Sequence, residues 1–153
     1  MKKVLFFIGL TFSLLIVSSC TKEGCTNPFA NNFSSEAEKD NGSCQFDSDA
    51  MTGSYLINGT INCGIGGVGS LTDELCNVYN SPSAKHKVIL YLPGVALTIT
   101  VNGSSLIVDN QTIDGYVYQG TGVLNGNDLT LNISAYYLST GESCTYNLTG
   151  VRQ

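Results

Sequence analysis

The stretch LTLNISAYY, residues 129–137, alternates without a break: Leu129, Leu131, Ile133, Ala135 and Tyr137 fall on one side of an extended chain, Thr130, Asn132, Ser134 and Tyr136 on the other. Successive side chains of a strand point to opposite faces, so this period of two marks a strand with one face buried and the other in water. The pattern continues outward. Leu97-Thr98-Ile99-Thr100-Val101 runs into Asn102-Gly103 and then residues 104–109, and Asn125-Gly126-Asn127 separates residues 115–124 from 129–138. Asn-Gly between two alternating runs is a strong hairpin signal, because the tight turn needs positive φ at its centre. Further strands are expected over 53–62, 85–92 and 143–151, with Pro82 and Pro93 at boundaries where a missing amide donor is tolerated. Connections are short and no sustained helical period is visible. The fold class is therefore all-β, an antiparallel meander forming a small barrel or sandwich of about seven or eight strands. Closure is favoured, since an open sheet exposes edges that pair with other chains.

Before this domain the chain opens with Lys2 and Lys3, an apolar run from Val4 to Val17, and small residues up to Cys20. This reads as a secretory signal peptide, with an apolar run short for a membrane span. Val17-Ser18-Ser19-Cys20 resembles a bacterial lipobox, which implies cleavage before Cys20 and lipidation of that cysteine. Several acyl chains, at about 0.8 kcal/mol per buried methylene, hold a protein firmly in a bilayer. Thr21 after the cysteine is similar to the outer-membrane default among lipoproteins. The expected organisation is a signal peptide over 1–19, a lipid-anchored linker over 20–50 and the β domain over 51–153.

The sequence carries 7 basic and 12 acidic residues, and losing Lys2 and Lys3 leaves the mature chain more acidic still. Nucleic-acid partners are disfavoured, because phosphates demand clustered Lys or Arg. The membrane, reached through the lipid, is the expected partner, with a small apolar ligand or an envelope protein as a second.

Five cysteines follow Cys20, namely Cys25, Cys44, Cys63, Cys76 and Cys144, in a compartment where disulfides persist. The odd number leaves one over, and no spacing suits a zinc site. Residues 24–46, GCTNPFANNFSSEAEKDNGSCQF, resemble a short module of exported Bacteroidota-type proteins. Gly24, Cys25, Thr26, Pro28, Ala30, Asn32, Ala37, Asp40, Gly42, Ser43 and Cys44 fall in register, with Phe33 in place of Tyr. The resemblance implies a Cys25–Cys44 disulfide and a stapled spacer between lipid and domain. Glu36, Glu38, Asp40, Asp47 and Asp49 supply hard oxygens, but the loop lacks the ligand spacing and distal Glu of a calcium-binding loop, so a solvated acidic turn is the expected reading.

The second half, roughly Thr52 to Gly150, resembles small lipocalin-like lipoprotein domains of the same bacteria. The resemblance rests on Gly53-Ser54-Tyr55 opening the first strand, on residues 113–137 (IDGYVYQGTGVLNGNDLTLNISAYY), and on Ser143-Cys144-Thr145-Tyr146 near the close. It implies that the first and last strands are neighbours and that Cys63 bridges Cys144, leaving Cys76 free; Cys63–Cys76 is the alternative pairing.

Gly64, Gly66 and Gly69 show the spacing G-x-G-x-x-G of a dinucleotide turn. No βαβ unit surrounds them, and the acidic residue wanted about twenty positions on is replaced by Ala84, Lys85 and His86. No cofactor is expected. The loop is instead a rim, with Ser70 and Asp73 positioned to cap a short helix over 71–78. His86, between two lysines, reads as a solvated residue on a polar strand edge rather than a general base. There is no nucleophile elbow, and Asp109, Asp114, Asp128 and Glu142, the candidates for a hydrolytic carboxylate pair, all lie near expected turns. No catalytic or metal-binding residue is expected and the chain reads as a non-enzyme, with such a hydrolase the least favoured alternative.

The tyrosines are the better functional lead. Tyr91, Tyr116, Tyr118, Tyr136 and Tyr137 are spread over several strands in a chain without tryptophan. Their ordinary use is core packing and cross-strand pairing. A shared cavity or surface is the alternative, suited to sugars, lipids or protein partners. Two functional expectations follow: a lipid-anchored binding module for a small apolar or amphipathic ligand, or a structural and interaction lipoprotein with a filled β core.

Overall fold

The computed structural model describes residues 21–153. The leader and Cys20, with the lipidation expected there, lie outside the described residues. Strands β1 (Glu23–Gly24) and β2 (Lys39–Asp40) form a small parallel pair, followed by a one-turn helix α1 (Ser48–Met51). Eight strands then run as β3 (Gly53–Asn62), β4 (Val68–Asn80), β5 (Lys87–Leu92), β6 (Val95–Asn102), β7 (Ser105–Ile113), β8 (Tyr116–Asn125), β9 (Asp128–Tyr137) and β10 (Ser143–Arg152). Each pairs with its sequence neighbour, and β10 returns to β3, closing the barrel.

The alternation that announced the strands also fills the interior. In β9, Leu129, Leu131, Ile133 and Ala135 are buried while Thr130, Asn132 and Tyr136 face out. Tyr55, Ile57, Cys76, Val78, Leu90, Leu97, Ile99, Leu106 and Leu148 join them in one apolar cluster. Eight strands enclose a space that side chains can just fill. Glycine adjusts that filling at inward positions, Gly122 and Gly150 among them. A Cβ on Gly150 would run into Ile57 Cδ1, and one on Gly122 into Leu131 Cδ2, so the missing side chains admit the large ones opposite.

Two bulges curl the sheet toward closure. Between β3 and β4 the register slips after Ile57, and the Asn58 carboxamide bridges the bulge, accepting from Asp73 N and donating to Asp73 Oδ1, both at 3.0 Å. Between β7 and β8 it slips after Val108. There β7 leaves β6, and the Gln111 side chain replaces the lost ladder bonds, accepting from Thr98 N at 2.9 Å and donating to Thr98 O at 3.0 Å.

Residues 71–78 are strand, not the helix expected over them. Ser70 pairs with Thr60 and Glu74 with Ile57, so the ladder to β3 overrode a local capping signal. This segment supplies the eighth strand. The glycine motif likewise spans a 3-10 turn at Gly64–Gly66 and the start of β4, with no following helix to present amides to a pyrophosphate. The hairpin turns at Gly103-Ser104 and Gly126-Asn127 centre one residue later than the Asn-Gly signals suggest, since Asn102 pairs with Ser105 and Asn125 with Asp128. At Asp114-Gly115 both residues have positive φ, 50° and 83°.

The N-terminal module packs against the barrel. Cys25 and Cys44 are joined, and α1 crosses the expected boundary at residue 50 to close one end of the barrel. Met51 is fully buried there. Polar contacts seat the module: Ser48 Oγ donates to Lys85 O at 2.5 Å, Gly103 N to Asp47 Oδ2 at 2.6 Å, and Asn80 Nδ2 to Asp49 Oδ1 at 2.9 Å. His86, outside the strands, stacks on Phe29 with ring centroids 4.0 Å apart and is half-buried rather than solvated.

Candidate functional site

Strand direction sorts the tyrosines. β8 and β10 begin, and β7 and β9 finish, at the end of the barrel opposite α1. Inward positions at that end carry Tyr116, Tyr118, Tyr137 and Tyr146. Tyr116 lies 4.6 Å from Tyr137 and 6.1 Å from Tyr118 between ring centroids. Three of the five expected tyrosines are therefore brought together. The other two lie on the outer wall: Tyr91 packs edge-to-face on Tyr79 at 5.8 Å, and Tyr136 faces out.

Tyr146 completes the cluster and the sequence reading passed over it. Its position two residues after Cys144 in an alternating strand was the available signal, since the bridge fixes which face of β10 points inward. Desolvation by burial holds the Tyr118 hydroxyl above the ordinary tyrosine value of 10.0, with neighbouring Tyr146, Tyr116 and Asp114 adding to the shift. Burial likewise raises Tyr146, and a hydrogen bond with Tyr118 partly offsets that. Tyr118 and Tyr146 therefore stay protonated at neutral pH and present neutral hydroxyls. Their bodies close the core from this end.

Cys63 and Cys144 are bonded beside this cluster, joining the end of β3 to the start of β10. Cys76 is free and buried, its thiol pushed up by desolvation and by Glu74. A concavity of about 410 Å³ opens over the disulfide, lined by Gly64, Thr140 and Glu142 among others. A smaller one of about 330 Å³ lies between the N-terminal module and the barrel, between Asp40, Asp49 and Lys85.

The carboxylates are dispersed. Asp109 on β7 accepts from Lys87 Nζ and Thr100 Oγ1, both at 2.7 Å. Asp114 sits in the turn before β8, Asp128 opens β9 at the α1 end, and Glu142 stands at the tyrosine end. In the module, Glu36 pairs with Lys22, and Asp40 accepts from Gly42 N at 2.9 Å. Among the described residues, no group of three or more His, Cys, Asp or Glu is gathered as metal ligands would be.

A concavity of about 550 Å³ lies on the outside of the wall formed by β7, β8, β9 and β10. Ile107, Gln119, Thr121, Asn132, Ser134 and Asn147 line it with outward side chains. None of these residues was singled out from the sequence as a site. Outward Asn, Ser and Thr on a strand carry no signal of their own until the register sets them side by side.

No family model matches the sequence, and no curated protein matches it. Among solved structures, the chain is similar to a structural-genomics protein of unknown function from Bacteroides ovatus, with 18% identity and a TM-score of 0.50. The match covers 67% of this chain and 41% of the other. At that identity the likeness concerns the fold.

Proposed function

We propose that the protein is a lipid-anchored, non-enzymatic lipoprotein of the outer membrane whose barrel is a filled scaffold, offering its outer wall to other molecules of the envelope. The observation that carries this reading is the interior. Met51, Tyr55, Ile57, Leu90, Leu97, Ile99 and Leu131 are wholly buried along the barrel, where a hollow barrel would hold its ligand. An apolar ligand needs a cavity that takes up most of its surface. The filled core thus favours the structural and interaction reading over the binding module. The anchor rests on Val17-Ser18-Ser19-Cys20 and the apolar run before it. Two disulfides suit an oxidising compartment beyond the cytoplasm.

Native mass spectrometry of the mature protein, extracted gently from its own membrane and kept unreduced, tests both parts. The expected mass is that of the chain from Cys20 with acyl chains and two disulfides, and no further adduct. A stoichiometric apolar small-molecule adduct overturns the filled scaffold, and an unmodified N-terminus overturns the anchor.

A further inference from the structure

The outer wall of β7–β10 differs from the rest of the barrel in how its polar side chains are used. Elsewhere, carboxamides in mid-strand serve the fold: Asn58 bridges a bulge, Asn77 Oδ1 accepts from Ser54 Oγ at 2.8 Å, and Gln111 patches the gap to β6. In the wall concavity, the side chains of Gln119, Asn132 and Asn147 make no hydrogen bond to any other described residue. Ser134 Oγ reaches Gln119 O at 3.3 Å, a contact with backbone that leaves the Gln119 carboxamide open.

The register sets these groups in rows across the strands. Ile107 lies opposite Thr121, Thr121 opposite Asn132, and Asn132 opposite Asn147. Beside that row, Gln119 lies opposite Ser134 and Ser134 opposite Thr145. Strands β8, β9 and β10 therefore each contribute one hydrogen-bonding side chain per row, at intervals of about 4.8 Å, comparable with the length of one sugar ring. The lining holds no charged side chain, and the nearby Asp109 is neutralised by Lys87.

From this pattern we infer that the wall concavity binds a neutral glycan, a chain of uncharged sugar units lying across β7–β10. Carboxamides and hydroxyls both donate and accept, which matches sugar hydroxyl and acetamido groups. Ile107, half-exposed at the end of the row, offers an apolar contact to a ring's C–H face. A phosphate-bearing polymer requires Lys or Arg, and the lining holds neither. An extended peptide that adds as a strand requires a free edge, and β8 and β9, at the centre of the concavity, are paired with neighbours on both sides. The inference rests on the scaffold reading, since it places recognition outside the barrel.

The test is a binding panel on the full mature protein. It uses neutral oligosaccharides (gluco-, manno-, galacto- and N-acetylglucosamine oligomers) together with a uronic-acid oligomer. The strongest probe is then titrated against an Asn132→Ala/Asn147→Ala double variant and, as a control on the far wall, Tyr91→Ala. The expected result is binding of at least one neutral probe, weakened about ten- to thirtyfold by loss of the two carboxamides and unchanged in the control. No binding by any neutral probe, preference for the uronic-acid oligomer, or indifference to the double variant overturns the inference. If it fails while native mass spectrometry shows no adduct, the scaffold reading survives alone. If binding instead disappears in Tyr116→Ala, the ligand enters the tyrosine end and both readings fall.

Discussion

The two ends of the barrel are closed by different means. At one end, a segment from outside the barrel seals it: α1 inserts Met51, and Arg152 donates to the Tyr55 hydroxyl at 2.7 Å and also to Ala50 O. At the other, the barrel's own strands supply Tyr116, Tyr118, Tyr137 and Tyr146, and a covalent bond ties β3 to β10. An eight-stranded barrel has a finite core and two rims where apolar side chains meet water. The first rim is covered by borrowed structure and the second by rings with polar tips, which tolerate water where aliphatic side chains would not. The first closure depends on a docked module, the second on a crosslink.

Removing the crosslink is the harshest way to break that contrast. The Cys63–Cys144 bond closes a loop with a sequence separation of 81. Loop-closure reasoning assigns such a bridge about 4.5 kcal/mol. A Cys63→Ser/Cys144→Ser variant is expected to lose that much in a urea titration. A loss below about 1 kcal/mol would mean that the β3–β10 ladder alone closes the tyrosine end.

Met51→Ala strikes the other end. The side chain is wholly buried, and truncating such a residue costs about 3 kcal/mol through lost transfer energy and the cavity left behind. The same titration checks it, and proteolysis between residues 41 and 52 is expected to accelerate as the module loosens. An unchanged midpoint would show the plug to be incidental to barrel stability.

These two closures were unequally legible in the sequence. The tyrosine end grows from alternating strands, so the inward face of β9 follows from the period alone, and the resemblance to lipocalin-like domains implied the bridge. The plug was not legible. A four-residue helix carries too few positions for a period, and a compositional boundary at residue 50 cuts through it. β4 was misread because Ser70 and Asp73 satisfy a helix-capping pattern; only pairing with β3, set by residues 53–62, decides against it. The wall concavity is harder still, because its character comes from four strands in register and from which amides the fold leaves unused.

Tyr55→Phe sharpens the contrast at lower cost. The Tyr55 hydroxyl donates to Met51 O at 3.0 Å and accepts from Arg152, linking β3, β10 and α1. Its loss strands a buried carbonyl and part of a guanidinium, at about 1–2 kcal/mol. Arg152→Ala is expected to cost a similar amount, and the double variant less than the sum, because both act through one hydroxyl. Full additivity in a double-mutant cycle would mean that the two side chains work independently.

The smallest effect belongs to the tyrosine end and appears only at high pH. Tyr118 holds its proton more tightly folded than unfolded, since burial and its neighbours raise its pKa above 10.0. Below the unfolded value both states are protonated and the group adds no pH dependence. As pH climbs past that value, the unfolded chain releases a proton that the folded barrel still holds, so stability falls with rising pH. Tyr146 shifts in the same direction and contributes alike. Urea midpoints measured from pH 9 to 11 are therefore expected to decline, and to decline less steeply in Tyr118→Phe. A parallel decline in wild type and variant would place the alkaline sensitivity elsewhere. A flat profile in Met51→Ala would go further: if unseating the plug abolishes the tyrosine signature, the two ends communicate through the core and are not independent closures.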